Sequence, residues 1–224
     1  MAYYSNTNLF AQSVDKFGDG PYDPAIAPAV QLLQKGVAAA APLTGVIAQT
    51  VPDDLMDATC TPTASGDLEL QAIYLSAGDV VNNFTAISVG AASTPTHYWF
   101  CLANSIYQPV AFTADQLTTA WAADTLITVP VATVGAGVAS NTTSTAATLY
   151  TVPTSGLYYV GLMQAGTTPA TIQGHTANGA GRGAYGPYLS FLSTTGLTTV
   201  PAFGTVFLTS AKATPLAIKG IYLS

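Results

Sequence analysis

Short apolar runs alternate with turns rich in glycine, proline and serine over most of the chain after residue 67. Runs of β-branched and aromatic residues bounded by such turns predict β-strands. The predicted strands cover residues 68–76, 80–90, 97–105, 107–114, 125–134, 145–153, 156–164, 184–193, 204–210 and 216–224, with a weaker one at 168–176. About eight to ten short strands without a helix predict an all-β fold, a jelly-roll β-sandwich over residues 67–224.

The stretch LYTVPTSGLYYVGLM at 149–163 predicts a strand, a turn at 153–156 and a second strand. Side chains alternate between the two faces of a strand. In the second strand, one face carries Leu157, Tyr159 and Met163, and the other carries Tyr158, Val160 and Leu162. A sheet with one face in water shows apolar–polar alternation, so two apolar faces require a covering layer on each side.

Composition suggests what that second layer is. Charged residues make up only 7% of the chain, whereas about 25% is typical of soluble proteins. Two interpretations remain: a surface kept soluble by threonine and serine hydroxyls, or a surface covered by other subunits. The second interpretation predicts a homotrimer whose subunit interface includes Tyr158, Val160 and Leu162; the N-terminal part of the same chain is the other source of cover.

Residues 1–66 differ in character from the rest. This part holds Pro21, Pro24, Pro28, Pro42, Pro52 and Pro62. One short helix is predicted at about residues 29–40, with proline at its start and after its end. The remainder predicts an extended N-terminal arm, which we expect to serve as an anchor.

The charge distribution argues against two classes of partner. All eleven acidic residues lie at or before Asp124, so residues 1–124 sum to −9 (two basic minus eleven acidic) and residues 125–224 to +3. No basic patch for nucleic acid is present, and the net charge of −6 disfavours anionic lipid. The longest apolar stretch, 36–48, is shorter than the roughly 20 residues of a membrane span and contains Pro42. The first ten residues lack the pattern of a signal peptide.

Candidate catalytic and metal-binding residues are few. Cys60 and Cys101 are too far apart in sequence to define a disulfide framework, and Cys101 is predicted to be a small buried side chain. The two histidines, His97 and His175, have no further ligand at a spacing typical of zinc. The chain contains one glutamate, Glu69, and no G-x-S-x-G motif. We therefore expect no cofactor, no metal and no enzymatic activity; a pair of distant aspartates in a glycosidase is the remaining enzymatic alternative.

The segment GHTANGAGRGAYG at 174–186 is rich in glycine. It does not fit a dinucleotide fingerprint, because a strand and not a helix is predicted to follow it. It is either a plain connection between strands or a tip loop that presents His175, Arg182 and Tyr185 to a partner or ligand. Aromatic side chains elsewhere raise the alternative of a sugar-stacking platform: Tyr98, Trp99, Trp121, Tyr158, Tyr159, Tyr185 and Tyr188.

Two resemblances add to this picture. VPTSGLYYVGLM at 152–163 resembles the strand-turn-strand of C1q-like and tumour-necrosis-factor-like jelly rolls, where a Pro-x-x-Gly turn precedes a tyrosine-rich strand. Over roughly residues 68–175, LQAIYLSAGDVVNNFTAISVG, TPTHYWFCLANS, TTAWAADT and YTVPTSGLYYVGLM resemble a module of virion structural proteins from tailed phages, especially those that infect actinobacteria. That resemblance implies a β-sandwich in a capsid decoration protein, head fibre or minor tail protein, and it implies no catalytic residues.

The sequence thus leads to three functional hypotheses. The first is a trimeric decoration or head-fibre protein of the virion that binds the major capsid protein through its N-terminal arm. The second is a minor tail protein, in contact with other tail proteins, that recognises host cell-wall carbohydrate. The third is a depolymerase.

Overall fold

The described part of this computed structural model comprises residues 45–135, 149–176, 190–203, 207 and 217–224, and its regular elements are almost all strands. A 3₁₀-helix of three residues spans Asp53–Leu55. The strands are β1 Ala48–Gln49, β2 Ala58–Cys60, β3 Asp67–Leu75, β4 Val80–Val81, β5 Asn83–Gly90, β6 Ser93–Ala103, β7 Pro109–Thr113, β8 Thr125–Val134, β9 Tyr150–Thr151, β10 Gly156–Thr168, β11 Thr171–His175, β12 Ser190–Thr194, β13 Ile218–Lys219 and β14 Ile221–Leu223. The predicted all-β character is confirmed for these residues.

The strands form two packed antiparallel sheets. Sheet A has the order β1-β14-β5-β8, and β11 joins it beside β5 together with β2 and β13. Sheet B has the order β8-β7-β6-β10-β3-β12. A separate ladder of two short strands joins β4 to β9. The chain is therefore a β-sandwich whose long central strands, β6 and β10, lie in sheet B.

Strand β8 belongs to both sheets. Its residues up to Pro130 pair with β5, and its residues from Val131 onward pair with β7. Proline has no N–H to donate to a ladder, so it sits where pairing on one side stops. Immediately afterwards, the Val131 N–H donates 2.8 Å to the Asn82 carbonyl. Pro130 thus marks the corner at which the chain passes from one sheet to the other.

The core between the sheets is dominated by aromatic rings from both layers. Phe84 of sheet A stacks on Phe100 of sheet B with ring centroids 5.6 Å apart, and Phe100 stacks on Trp121 at 5.8 Å. Trp121 also meets Tyr98 edge to face at 4.9 Å. Such pairs stabilise a core by more than their buried area alone.

A second apolar cluster covers the outer face of sheet B. Residues 195–203, which we name the cover segment, follow β12 and place Leu197 and Val200 against this face. Phe191 of β12 packs on Tyr159 of β10 with ring centroids 5.6 Å apart. The chain itself therefore buries both faces of β10, and the split of its side chains between the two faces is as predicted.

The two strands within 149–163 do not pair with each other. β9 pairs with β4 instead, whereas β10 lies between β3 and β6. The link between them bonds to the 77–79 turn: the Val152 N–H donates to the Asp79 carbonyl, and the Gly78 N–H donates to the Val152 carbonyl. These bonds hold β9 away from β10, so no hairpin forms.

The predicted boundary at residue 67 falls inside the fold. β1 pairs with β14 and β2 pairs with β11, both in sheet A. Residues 45–66 are therefore part of the sandwich, because their backbone groups complete its ladder. The helix predicted at 29–40 and the strand predicted at 204–210 lie outside the described residues, apart from Phe207.

Candidate functional site

The predicted contact residue His175 lies at the end of β11, at the edge where β11 runs beside β2. Its Nδ1 is 2.9 Å from Asp57 Oδ1 and 3.0 Å from the Leu55 carbonyl oxygen. Both neighbours are acceptors, so Nδ1 carries the proton and donates it. His175 is partly exposed but has these partners within its own chain. Its predicted companions Arg182 and Tyr185 lie outside the described residues.

His97 is held in a similar way by the loop after β7. Its Nδ1 lies 2.6 Å from Asp115 Oδ2. The other oxygen of Asp115 accepts the backbone N–H groups of Tyr98 at 3.1 Å and Leu117 at 2.9 Å. Asp115 thus satisfies three donors, and this arrangement fixes the loop against β6.

The three predicted interface residues do not lie on a surface. Tyr158, Val160 and Leu162 are buried in the core between the two sheets. The interface prediction was based on a second apolar face without cover, and the chain provides that cover itself. A subunit interface at these residues is therefore corrected to an internal core position, and any contact between subunits must use other residues.

The aromatic residues considered for sugar stacking are also internal where the structure describes them. Tyr98, Trp99, Trp121, Tyr158 and Tyr159 are all buried. Tyr188, like Tyr185, lies outside the described residues. A stacking platform needs open ring faces, so these five side chains do not form one.

Two exposed apolar side chains belong to the same end of sheet B. Tyr74 of β3 is 49% exposed and pairs in register with Leu157 of β10. Ile106 is 61% exposed in the loop after Ala103, and Ala103 pairs with Tyr159 only two residues from Leu157. We name Tyr74, Ile106 and Leu157 the end patch.

The interior of the sandwich contains a polar cluster at the β3 side of sheet B. Side chains alternate along β3, and three polar side chains at every second position face sheet A. Polar side chains of β10 and β13 lie beside them. The members of this interior polar strip are Asp67, Glu69, Gln71, Gln164 and Lys219, and all of them are buried. Polar side chains at such positions need partners inside the protein, because water does not reach them.

An ion pair crosses the strip from one sheet to the other. Lys219 Nζ of β13 contacts Glu69 Oε2 of β3, and the two side chains are only 1% and 2% exposed. Glu69 Oε1 accepts the Thr63 N–H at 2.7 Å and the Thr63 hydroxyl at 3.0 Å. A buried ion pair persists only when its other hydrogen-bonding positions are filled in this way.

Burial shifts the titration of the groups around this pair. Removal from water lowers the pKa of Lys219 to about 8, against the opposing influence of the neighbouring Cys60 and Asp67. Burial raises the pKa of Asp67, opposed by its backbone hydrogen bond at Ala64 and by Lys219. The pKa of Cys60 is also raised by burial, with Lys219 opposing. Each shift favours the uncharged form of its group.

The amides of the strip are incompletely paired. Gln164 Nε2 donates 3.1 Å to the Ala170 carbonyl, but its Oε1 has no hydrogen-bond partner among the described residues. Both side-chain polar atoms of Gln71 likewise have none there. A buried group without a partner destabilises the fold by about 1–3 kcal/mol. The unpaired amide atoms of the strip therefore lower the stability of the fold.

Among the described residues, no three histidine, cysteine, aspartate or glutamate side chains come together as a metal site. No helix within those residues is long and apolar enough to cross a bilayer. Cys60 and Cys101 are both buried and free.

Sequence reasoning missed the Glu69–Lys219 pair. The available signal was local: Glu69 alternates with Leu68 and Leu70 on a strand, and Lys219 lies between apolar residues in LAIKGIY. A charged residue flanked in this way faces a core or an edge, but the sequence does not show which partner it meets.

A comparison of the chain with protein-family models, with curated proteins and with solved structures gave no match.

Proposed function

We propose that this protein is a non-enzymatic structural subunit of a tailed-phage virion, a trimeric capsid decoration or head-fibre protein. The sequence resemblance over residues 68–175 supports this class of protein. The structural observation that carries the proposal is the order of the strands in the two sheets, because that order is typical of viral coat domains.

The strand order supports a jelly roll. Eight strands, taken along the chain, are numbered one to eight: β1, β3, β5, β6, β7, β8, β10 and β14. Sheet A then has the order 1-8-3-6 and sheet B contains the order 2-7-4-5. The pairs 1–8, 2–7, 3–6 and 4–5 are those of one long antiparallel hairpin wound into two sheets. Jelly rolls of this kind occur in viral capsid and lectin domains.

The position of β1 supports an anchoring role for the preceding residues. β1 lies at the edge of sheet A, where it pairs only with β14 among the described strands. The first described strand therefore lies at a sheet edge and not in the middle of a sheet. We propose that residues 1–44 bind the major capsid protein, whereas residues 45–66 belong to the sandwich.

The end patch is the surface that we assign to contacts between subunits. Tyr74 and Ile106 expose apolar area at one end of sheet B. A chain with 7% charged residues has few charges with which to prevent association there. The measurement is the mass of the particle-free protein in solution. We expect a trimer that Tyr74→Glu together with Ile106→Glu converts to a folded monomer, and a wild-type monomer would contradict this assignment.

Deletion of residues 1–44 tests the anchor. We expect the truncated protein to keep its sandwich, since β1 and its bonds to β14 remain, and to be missing from purified particles. The matched control is the double end-patch variant, which retains residues 1–44 and is expected to bind particles more weakly but detectably. Normal incorporation of the truncated protein would refute the anchoring role.

Copy number separates the head from the tail. Quantitative mass spectrometry of purified particles is expected to give hundreds of copies per virion if the protein decorates the capsid. A handful of copies would instead indicate a tail protein, and binding to host cell-wall glycan would then be the next measurement. Absence of the protein from particles would refute the proposal as a whole.

A further inference from the structure

We propose that Lys219 and Glu69 react to form an intramolecular isopeptide bond between Lys219 Nζ and Glu69 Cδ. The bond joins β13 of sheet A to β3 of sheet B. It concerns the interior of the sandwich and does not depend on the role proposed for the protein in a virion.

The reacting groups already lie together in a closed site. Lys219 Nζ contacts Glu69 Oε2, and both side chains are at most 2% exposed. Because strands of two different sheets hold the two groups, packing of the sandwich fixes their approach. Groups held at contact distance react as if present at very high concentration.

The surroundings of Glu69 fit an acyl-transfer reaction. The Thr63 N–H and the Thr63 hydroxyl both donate to Glu69 Oε1, at 2.7 and 3.0 Å. Two donors on one carboxyl oxygen polarise the carbon and stabilise the negative charge that forms on that oxygen when an amine adds. Asp67 lies two residues from Glu69, so its carboxyl is on the same face of β3 as Glu69.

The atoms balance without any further reactant. A proton moves from the Lys219 ammonium to the Glu69 carboxylate, which gives a neutral amine and a neutral acid. The amine then forms the Nζ–Cδ bond, and the Cδ–Oε2 bond breaks. Oε2 leaves with two protons as one water molecule, and the product is a neutral secondary amide. Nothing is oxidised or reduced.

Burial favours this reaction over a permanent ion pair. Two charges in a site without water are costly, and a neutral amide removes both. The lowered pKa of Lys219, about 8, raises the fraction of this side chain that is present as the uncharged amine, compared with a lysine in water. The raised pKa of Asp67 favours the protonated form of that carboxyl. These shifts agree with the geometry, which is the basis of the inference.

The bond would give the sandwich a covalent link that its cysteines do not provide. Cys60 and Cys101 are buried and free. An isopeptide bond between β3 and β13 closes a loop that contains β4–β12, so residues 69 and 219 stay joined even in the unfolded chain. A link of this kind constrains the unfolded chain as a disulfide does.

The mass of the full-length protein tests the proposal. The protein is unfolded in denaturant and its intact mass is measured beside that of Lys219→Arg. We expect the wild type to be lighter than its sequence mass by one water molecule, and the variant to keep its full sequence mass. Fragmentation after digestion is expected to show one branched peptide that contains both Glu69 and Lys219.

The matched control is Lys212→Arg, the same substitution at another lysine, which is expected to keep the lower mass. A wild-type protein of full sequence mass, with Glu69 and Lys219 in separate linear peptides, would overturn the proposal. A lower mass that maps to a different pair of residues would overturn it as well. The wild-type measurement does not depend on the folding of any variant.

Discussion

The indole Nε1–H of Trp99 donates a hydrogen bond of 3.0 Å to the carbonyl oxygen of Thr198. Trp99 lies in β6 at the middle of sheet B, and Thr198 lies in the cover segment. The ring of Trp99 also meets that of Phe112 at a centroid distance of 5.8 Å. This bond joins the outer face of sheet B to the cover segment. A single donor therefore helps to hold the cover segment over the second apolar cluster.

Trp99→Phe is expected to loosen the cover segment. The change keeps an aromatic ring, removes the donor to Thr198 and leaves a small cavity, and we expect a loss of about 2 kcal/mol in the free energy of unfolding. Denaturant unfolding measures the loss, and limited proteolysis within residues 195–203 measures the local opening. Tyr74→Phe, at an exposed position, is the control, and its free energy of unfolding should stay within about 0.5 kcal/mol of the wild-type value. Unchanged cleavage of the cover segment in Trp99→Phe would contradict the assigned bond.

Gly161→Ala is expected to destabilise the protein. Gly161 lies in β10, where an added Cβ would come within 2.7 Å of Leu70 Cδ2 and 2.8 Å of Cys101 Sγ. Overpacking of this kind typically destabilises a core by about 1–3 kcal/mol. Gly156→Ala in the same strand is the matched control, because a Cβ there meets no atom within 4 Å. Equal stability of the two variants would show that sheet B is looser than described.

A double variant identifies the source of the Gly161→Ala effect. In the Cys101→Ala background the Sγ atom is absent, so Gly161→Ala should destabilise the protein less than it does in the wild type. Residues in contact show such coupling, whereas independent sites add. Full additivity of the two changes in unfolding free energy would exclude Cys101 as the obstructing neighbour.

The buried tyrosines predict unfolding in alkali. Burial raises the pKa of four side chains, Tyr98, Tyr150, Tyr159 and Tyr222. The folded protein therefore holds these protons where the unfolded chain releases them, at about pH 10, so folding stability is present below that pH and falls as pH rises above it. Phenolate absorbance from these residues should rise together with the loss of the far-ultraviolet circular dichroism signal.

Tyr222→Phe provides the check on this interpretation. Tyr222 donates 2.7 Å to Asp53 Oδ1, and that bond adds to burial in raising its pKa. Removing one such group should make the decline of stability above about pH 10 less steep. Complete phenolate formation while the circular dichroism signal is unchanged would contradict the burial of these rings.

The strands and the two faces of β10 were predictable because both are local properties. β8 has the predicted bounds, 125–134, since β-branched residues and flanking turns define it without reference to other strands. The side chains of β10 divide as alternation requires, with Val160 in one core and Met163 in the other. Period-two alternation is fixed by backbone geometry and needs no knowledge of partners.

Partners and covers were not predictable, because they depend on contacts between distant segments. β9 pairs with β4 across about 70 residues, although a turn directly precedes β10. The cover segment has the sequence TGLTTVPAF, which has no strand pattern, and yet it covers the second apolar cluster. Glu69 and Lys219 are 150 positions apart (219 minus 69), so their pairing required the assembled sandwich. Two apolar faces predicted a cover correctly but did not indicate which chain provides it.

Two truncations distinguish the sandwich from the segment before it. Removal of residues 1–44 leaves β1, β2 and Thr63 in place, and we expect little change in the free energy of unfolding. Removal of residues 1–66, the boundary expected from composition, deletes both strands from sheet A. It also deletes the Thr63 N–H and hydroxyl, so the buried Glu69 Oε1 loses both of these donors.

The longer truncation should therefore lose about 4 kcal/mol or more in the free energy of unfolding, because two strands leave sheet A and each donor missing from the buried Glu69 Oε1 costs about 1–3 kcal/mol. Thermal and denaturant unfolding of both truncated proteins measures the difference. Thr63→Val in the shorter protein is the intermediate case: it removes the hydroxyl donor but keeps the N–H donor, so a loss of about 1 kcal/mol is expected. If the longer truncation unfolds with the same free energy as the shorter one, residues 45–66 do not belong to the sandwich, and Glu69 is satisfied by other groups.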